Sequence, residues 1–177
     1  MCAVFRYESG EFTPYATHQI ALTTEVPPVF SRDGSRVAMV GTNDVLAVWQ
    51  LEPWRELRRW DGIRSHPRAI VFDPPGRRLF AHRPDFGVVV VDMATGRLNR
   101  MPKDRKSRIS DIDISPDNRL LAMSHYNGTI VQWACAPGEE PRSVGPVITE
   151  RTDSWSVAFS PDGGRFAIGL ADGNIHL

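Results

Sequence analysis

One pattern occurs four times along this chain of 177 residues. It reads FSRDGSRVAMV from Phe30, FDPPGRRLFAH from Phe72, ISPDNRLLAMS from Ile114 and FSPDGGRFAIG from Phe159. The copies begin 42, 42 and 45 residues apart. Each predicts a strand that ends on a large apolar residue, a tight turn and a second strand, because Pro, Asp, Gly and Asn favour tight turns. A period of this length indicates repeated supersecondary units that stack on one another.

A third strand follows each predicted hairpin, and a fourth follows in the longer units. The third strand is predicted from NDVLAVWQ, DFGVVVVD, NGTIVQWA and DGNIHL, at 43–50, 85–92, 127–134 and 172–177. A fourth strand follows in the longer units, as in ATGRLNRM after Val91. Four short strands in about 42 residues have the size of one propeller blade. We therefore predict an all-β fold, a β-propeller segment with three whole four-stranded blades and partial blades at both ends.

The repeat divides residues 1–177 into five segments. Residues 1–19 are predicted to be the end of a preceding blade or a closing strand, since VFRYESGEF aligns with VVDMATGRL. The following units are blades at 20–62, 63–104 and 105–149 and a truncated blade at 150–177. First strands are expected at 25–30, 67–72, 109–114 and 154–159. Residues expected to be nearly buried are Phe30, Phe72, Ile114, Phe159, Trp49 and Trp133.

Composition excludes several classes of protein. Hydrophobic residues make up 41% and charged residues 24%, as in ordinary globular domains. Lys and Arg number 21 and so do Asp and Glu, which gives no overall attraction to nucleic acid or to anionic membranes. Two distant cysteines and five scattered histidines offer no disulfide framework and no metal-ligand spacing. We predict a cytoplasmic protein without cofactor or metal and without a membrane or nucleic-acid partner.

The predicted units resemble WD-repeat β-propeller blades over essentially the whole chain. SVAFSPDGGRFAIGLADGNIHL, at 156–177, is similar to that repeat in both spacing and turn chemistry. The family's histidine before the first strand is absent, and its positions hold Ala21, Ile63, Arg105 and Glu150. The buried His–Ser–Trp–Asp hydrogen-bond network of eukaryotic members therefore cannot form here. The divergent repeats resemble the looser repeats of bacterial proteins.

The resemblance also implies a binding surface. First strands of WD repeats carry a bulge near their start, which turns one residue onto the rim of the propeller. Members of the family most often bind proteins or peptides at this rim. The candidate rim residues are His66, Arg68, Arg108, Ser110, Tyr126, Asp153 and Trp155. Tryptophan, tyrosine and arginine dominate interface hot spots. An aromatic residue on a strand can instead belong to the core, which the sequence leaves open for Trp155; Val26 has the same position in the first unit.

The sequence contains no common enzyme signature: no Gly-x-Ser-x-Gly, no phosphate-cradling glycine loop and no Cys–His arrangement. We predict no catalytic residue and a non-catalytic WD-repeat scaffold that mediates protein–protein or protein–peptide interaction through the rim. One alternative is a sensor or scaffold propeller tail of a bacterial signalling protein, such as a serine/threonine kinase. Another is a hydrolase-like propeller enzyme with a site in the central channel, because the fold alone does not define function.

Three whole blades cannot close a ring of typically 4–8 blades. We expect the ring to be completed by missing sequence, or else by homo-oligomerisation, in which residues 4–15 of one copy add a strand to DGNIHL of the next. A fragment of a longer gene product is the preferred interpretation, because the last predicted strand stops soon after its turn. The isolated chain is then expected to be marginally stable and prone to aggregate.

Overall fold

The chain folds as a succession of antiparallel strands joined by short turns. The computed structural model describes residues 2–18, 26–42, 45–61, 69–83, 87–102 and 108–177. Within these ranges it has seventeen strands and no helix, which confirms the predicted all-β class. In this part of the chain there is accordingly no helix with the length and hydrophobicity to cross a bilayer. Each strand pairs with its neighbour along the chain, so every sheet is a simple meander.

Three sheets are complete and have four strands each. The first sheet consists of β3 (Val29–Phe30), β4 (Arg36–Gly41), β5 (Val45–Gln50) and β6 (Arg55–Trp60). The second sheet consists of β7 (Ala69–Phe72), β8 (Arg78–Arg83), β9 (Gly87–Asp92) and β10 (Leu98–Arg100). The third sheet consists of β11 (Ile109–Ile114), β12 (Leu120–His125), β13 (Thr129–Ala134) and β14 (Arg142–Thr149).

Two smaller sheets accompany the three complete ones. The fourth sheet has three strands, β15 (Ser154–Phe159), β16 (Phe166–Leu170) and β17 (Ile175–His176). The hairpin of β1 (Cys2–Glu8) and β2 (Glu11–His18) forms a separate two-stranded sheet. The predicted partial propeller, with whole units between two incomplete ones, is therefore confirmed.

In the first, third and fourth sheets, a hydrogen-bonded serine–aspartate pair closes the turn between the first two strands. The Ser31 hydroxyl donates to Asp33 Oδ1 at 2.6 Å and accepts the backbone N–H of Arg36 at 3.0 Å. The same serine–aspartate bond occurs at Ser115–Asp117 and at Ser160–Asp162. In the second sheet Asp73 replaces the serine, and its carboxylate accepts the backbone N–H of Arg78 at 2.8 Å. These turns form from contacts within six residues, which is why the sequence predicts them well.

The core lies in layers between consecutive sheets. Between the first and second sheets, the layer includes Val40, Leu46, Val48, Phe72, Leu79 and Val91. Between the second and third sheets, it includes Phe80, Val88, Ile114, Leu121, Met123 and Trp133. Phe72, Ile114, Trp49 and Trp133 are buried as predicted. The Trp133 indole Nε1 is buried without a hydrogen-bond partner among the described residues, as expected where the His–Ser–Trp–Asp network is missing.

The predicted burial is wrong for Phe30 and only partly correct for Phe159, which is half-buried. Phe30 pairs with Val37, which pairs with Trp49, so the three side chains share one face of the first sheet. The core cluster on this face contains only residues of the first sheet and the turn after β5, where Trp54 stacks on Trp49 at 5.3 Å between ring centroids. Val37, Met39 and Ala47 are buried in this cluster, whereas Phe30, on the edge strand of the sheet, remains 53% exposed.

The first strands of successive sheets lie side by side in the order β3, β7, β11 and β15. Two carboxylates connect β11 to β15. Asp111 Oδ2 accepts the backbone N–H of Val157 at 3.1 Å, and Asp113 Oδ2 accepts that of Phe159 at 2.6 Å. Burial raises the pKa of both Asp111 and Asp113 above the ordinary value. These bonds hold the third and fourth sheets in register and so position the rim residues that precede both strands.

Candidate functional site

Five of the seven candidate rim residues lie at one edge of the third and fourth sheets. Tyr126, in the turn after β12, donates its backbone N–H to the carbonyl oxygen of Arg108 at 2.9 Å. Ala171, in the turn after β16, donates its backbone N–H to the carbonyl oxygen of Asp153 at 2.9 Å. Both turns therefore lie beside the starts of first strands, as antiparallel pairing requires. Ser110 and Trp155 follow near the starts of β11 and β15.

A bulge turns Trp155 out of its strand. The pairing of β15 with β16 skips this residue, because Ser154 pairs with Leu170 and Ser156 pairs with Gly169. The neighbouring Ser154 is fully buried, whereas Trp155 is 64% exposed. The pairing of β11 with β12 skips Ser110 in the same way. The predicted bulges are therefore present in both strands, and Trp155 does not belong to the core.

An arginine and an aromatic ring form a second exposed group on this edge. The Arg108 guanidinium carbon lies 5.6 Å from the centroid of the Tyr126 ring, within the range of a cation–π contact. Arg108 and Asp153 are exposed, and Tyr126 is half-buried. Ser110 is also half-buried, and its hydroxyl shares a hydrogen bond of 2.9 Å with that of Ser124. Ser110 therefore links β11 to β12 at this edge. The side chains available for contact are those of Arg108, Tyr126, Asp153 and Trp155.

Buried contacts join the third and fourth sheets beneath this edge. The hydroxyl of Ser154 donates to the carbonyl oxygen of His125 at 2.8 Å, and both residues are fully buried. Gly128 adopts a φ of +76° and packs so closely that an added Cβ would lie 2.7 Å from the carbonyl oxygen of Glu150. Glu150 in turn donates its backbone N–H to the carbonyl oxygen of Gly128 at 2.9 Å. These contacts fix the two sheets against each other beneath the rim residues.

The sequence analysis missed the buried polar residues that support the rim. Ser154 and His125 each directly precede a rim aromatic, Trp155 and Tyr126 respectively. Neighbouring residues in strands point to opposite sides, so a residue before an outward aromatic is expected to point inward. That alternation is the signal that could have identified both residues. The bonds of Asp111 and Asp113 to the next sheet were not predicted either.

The repeat position alone does not decide exposure. Val26 occupies in the first unit the position that Trp155 occupies in the fourth, yet it is only 3% exposed and packs into the layer between the first and second sheets. Its small apolar side chain fits that layer, so Val26 offers no contact surface. His66 and Arg68 lie outside the described residues, and their place on the rim stays a prediction.

Groups that could bind a metal ion or act as a nucleophile would be a further source of chemistry in the described ranges. Within them, no group of three or more His, Cys, Asp and Glu residues has an arrangement that could hold a metal ion. Burial raises the pKa of the Cys135 thiol to about 11. A thiol with so high a pKa is protonated at neutral pH and is a poor nucleophile.

Comparison with known proteins identifies the repeat. The family model described as "WD domain, G-beta repeat" matches residues 97–134 and 147–177. The chain is 24% identical over 143 residues to the periodic tryptophan protein 2 homolog of Dictyostelium discoideum, a match that covers 80% of this chain and 15% of that protein. It is 28% identical over 130 residues to transcription initiation factor TFIID subunit 5 of Caenorhabditis elegans, covering 67% of this chain and 20% of that protein.

These matches refine the predicted resemblance. Both relatives are eukaryotic proteins, so the comparisons do not support the bacterial character of the repeats, and they give no support to a bacterial kinase tail. The chain spans only 15% and 20% of the lengths of the two relatives. The matched segments contain β11 to β13 of the third sheet and all three strands of the fourth. Residues 97–134 and 147–177 of this all-β chain match WD repeats, and its antiparallel sheets are consistent with blades of a partial propeller.

Proposed function

We propose that this chain is a non-catalytic interaction scaffold that binds a protein or peptide partner through the rim of its WD40 repeats. The observation that carries the proposal is the exposed Trp155, presented by a bulge at the same edge of the sheets as the Arg108–Tyr126 pair. One relative is named as a subunit of a transcription initiation factor, which supports a protein as the class of partner. His66 and Arg68 are proposed to extend the same surface. The cytoplasmic location and the completion of the ring stay predictions.

The rim is proposed to bind as a preorganised surface, which lowers the entropy lost on binding. Ser154 is anchored to the third sheet by its hydrogen bond to His125, which fixes the backbone on which Trp155 stands. A tryptophan side chain has two rotatable bonds, so little conformational entropy is lost when it is buried in an interface. Arg108 stacks on Tyr126 and keeps N–H groups for carbonyl or carboxylate oxygens of a partner. Asp153 adds an acidic group on the same edge.

Site-specific crosslinking and affinity measurement test this proposal together. A photoreactive amino acid at position 155 is expected to capture a protein partner in cells, whereas the same group at position 12 is not. Phe12 is a suitable control because it is 72% exposed and belongs to the separate hairpin of β1 and β2. With the purified partner, Trp155→Ala is expected to weaken binding by about thirtyfold, the effect of a typical hot-spot residue.

Two further measurements separate binding from folding. Phe12→Ala removes an aromatic ring of similar exposure and is expected to leave the affinity unchanged. Arg108→Ala is expected to weaken binding without lowering the melting temperature, since its side chain is exposed. Equal losses of affinity in Trp155→Ala and Phe12→Ala would contradict a rim site. A loss of affinity in Arg108→Ala that follows a loss of thermal stability would assign that residue to folding.

A further inference from the structure

Three arginines converge on a cleft that lies away from the described rim residues. The cleft has a volume of about 340 Å³, and its walls include Arg36, Arg55 and Arg58 together with Gln50, Leu57 and Met93. Met93 directly follows β9, so it belongs to the second sheet, whereas the other five belong to the first. The cleft therefore opens between two consecutive sheets, and its walls combine three cationic groups with two apolar side chains.

Strand register places these arginines on one face. Arg36 pairs with Gln50, and Gln50 pairs with Arg55, so the three side chains form a row across β4, β5 and β6. Arg58 pairs with Val48, whose side chain belongs to the core layer that faces the second sheet. The row and Arg58 consequently point toward the second sheet. Arg59, the next residue of β6, points to the opposite face and is not part of the cleft.

Each of the three cleft arginines makes one hydrogen bond within the described structure. Arg36 donates to the carbonyl oxygen of Gly76 at 2.6 Å, Arg58 donates to that of Ala94 at 2.8 Å, and Arg55 donates to the side-chain oxygen of Gln50 at 3.1 Å. All three acceptors are uncharged. In the described part of the chain, none of these guanidinium groups lies within ion-pair distance of a carboxylate.

The nearby carboxylates accept their hydrogen bonds from residues other than the cleft arginines. Glu56 also lines the cleft, but its carboxylate accepts three hydrogen bonds from Arg59, the shortest at 2.8 Å. Asp33 interacts with Arg36 through charge alone, and its oxygens accept hydrogen bonds from Ser31 and Ser35. Each guanidinium carries five N–H donors, and each of the three cleft arginines uses one of them in the hydrogen bonds described above. Several charged donors therefore remain available to a ligand.

We propose that this cleft binds a phosphomonoester group, either on a small molecule or on a phosphorylated side chain. A phosphomonoester carries close to two negative charges at neutral pH and accepts several charge-assisted hydrogen bonds, which matches a cluster of arginine forks. Leu57 and Met93 provide apolar contact for the carbon atoms next to the ester. A nucleic-acid strand fits poorly, because it needs an extended basic groove with stacking aromatics, and none of the lining residues is aromatic.

Calorimetry on the full chain tests the proposal with three probes: phosphoserine, a short phosphoserine peptide and the same peptide with serine. Both phosphorylated probes are expected to bind, and the serine peptide is not. Arg55→Gln is expected to weaken binding of the phosphorylated probes about tenfold through the loss of charge-assisted hydrogen bonds. Arg55 is exposed and makes no described bond to the second sheet, so its replacement is expected to leave the melting temperature unchanged.

Arg142→Gln is the matched control. Arg142 is exposed and pairs with Ala134 in the third sheet, as Arg55 pairs with Gln50 in the first, but it does not line the cleft, so affinity is expected to stay unchanged. Peptide binding at least tenfold tighter than phosphoserine would identify a phosphorylated segment as the ligand, and equal binding would identify a free ester. Equal losses in both variants, equal binding of the serine peptide, or tighter binding of a single-stranded oligonucleotide would overturn the proposal. Trp155→Ala leaves this binding intact, so the cleft and the rim are tested separately.

Discussion

At the scale of single residues, one glycine controls how the third and fourth sheets meet. Gly128 combines a positive φ with backbone contacts that leave no room for a Cβ atom. Gly138, in the turn between β13 and β14, also has a positive φ of +83°, but an added Cβ there would meet nothing within 4 Å. The two positions separate the cost of backbone conformation from the cost of steric overlap.

We predict that Gly138→Ala lowers the free energy of unfolding by about 1–2 kcal/mol, the cost of a left-handed conformation for alanine. Gly128→Ala is expected to cost a further ~1–3 kcal/mol, because the carbonyl groups of Glu150 and Thr152 must move. Urea denaturation of both variants measures the difference. Equal costs would mean that the two sheets adjust freely, and the rim would then not be a fixed surface.

At the scale of elements, β11 and β15 belong to different sheets and are joined by hydrogen bonds from backbone N–H groups to aspartate side chains. Asp111 and Asp113 each accept one N–H of β15 and one N–H of their own strand. Burial raises the pKa of both groups, so their ionisation opposes folding once the pH rises above the ordinary value of 3.8. The turn aspartates behave oppositely, since hydrogen bonds from Ser31 and Ser35 lower the pKa of Asp33 to about 2.

The two groups of aspartates change the free energy of unfolding in separate pH ranges. The hydrogen bonds that Asp111 and Asp113 accept from β15 can therefore be tested by varying the pH. The raised pKa values predict a contribution to stability that is fully present below pH 3.8 and is lost as the pH rises through the folded-state pKa. The Asp111→Asn, Asp113→Asn double variant is expected to lose less stability between pH 4 and pH 7 than the wild type. Asp117, whose pKa is lowered by its bond to Ser115, provides the control, because its contribution changes only below pH 3.8.

Free energies of unfolding from urea titrations across this range measure both effects. Asp117→Asn is expected to show the wild-type slope above pH 3.8. An unchanged slope in the double variant would show that the two bridging carboxylates ionise without cost, and would argue against their burial between the sheets.

At the scale of the whole molecule, stability comes from layers between sheets rather than from a central core. Phe72 and Phe30 end equivalent first strands, yet Phe72 is 5% exposed in the layer between two sheets, whereas Phe30 is 53% exposed. The stability that the same side chain contributes at the same repeat position therefore depends on how its surroundings pack against it. In a repeat fold, each unit contributes to stability through its contacts with the neighbouring units.

We expect Phe72→Ala to lower the free energy of unfolding by about 3–5 kcal/mol, as for a buried phenylalanine. Phe30→Ala is expected to cost less than about 1 kcal/mol, because about half of the residue's surface already contacts solvent. Thermal and chemical denaturation of the two variants give this comparison directly. Similar costs at the two positions would show that another surface covers Phe30 in solution.

The sequence alone determined the repeat and the hairpins, whereas the bulges were implied by the resemblance to WD repeats. The first strands predicted at 109–114 and 154–159 coincide with β11 and β15, and the bulge turns Trp155 outward as that resemblance implies. The hairpins depend on residues within a few positions of one another. Turn-forming residues fix the hairpin, and alternation of apolar and polar residues fixes which side of each strand faces inward.

Tertiary structure decided what each repeated position does. It buried Val26 and exposed Trp155, although both occupy the same place in their units. It also turned Asp111 toward the backbone of the next sheet and gathered Arg36, Arg55 and Arg58 in one cleft. Their burial, partners and local charge depend on the sheet that packs against them. That sheet comes from residues about 40 positions away, so no local pattern specifies the contact.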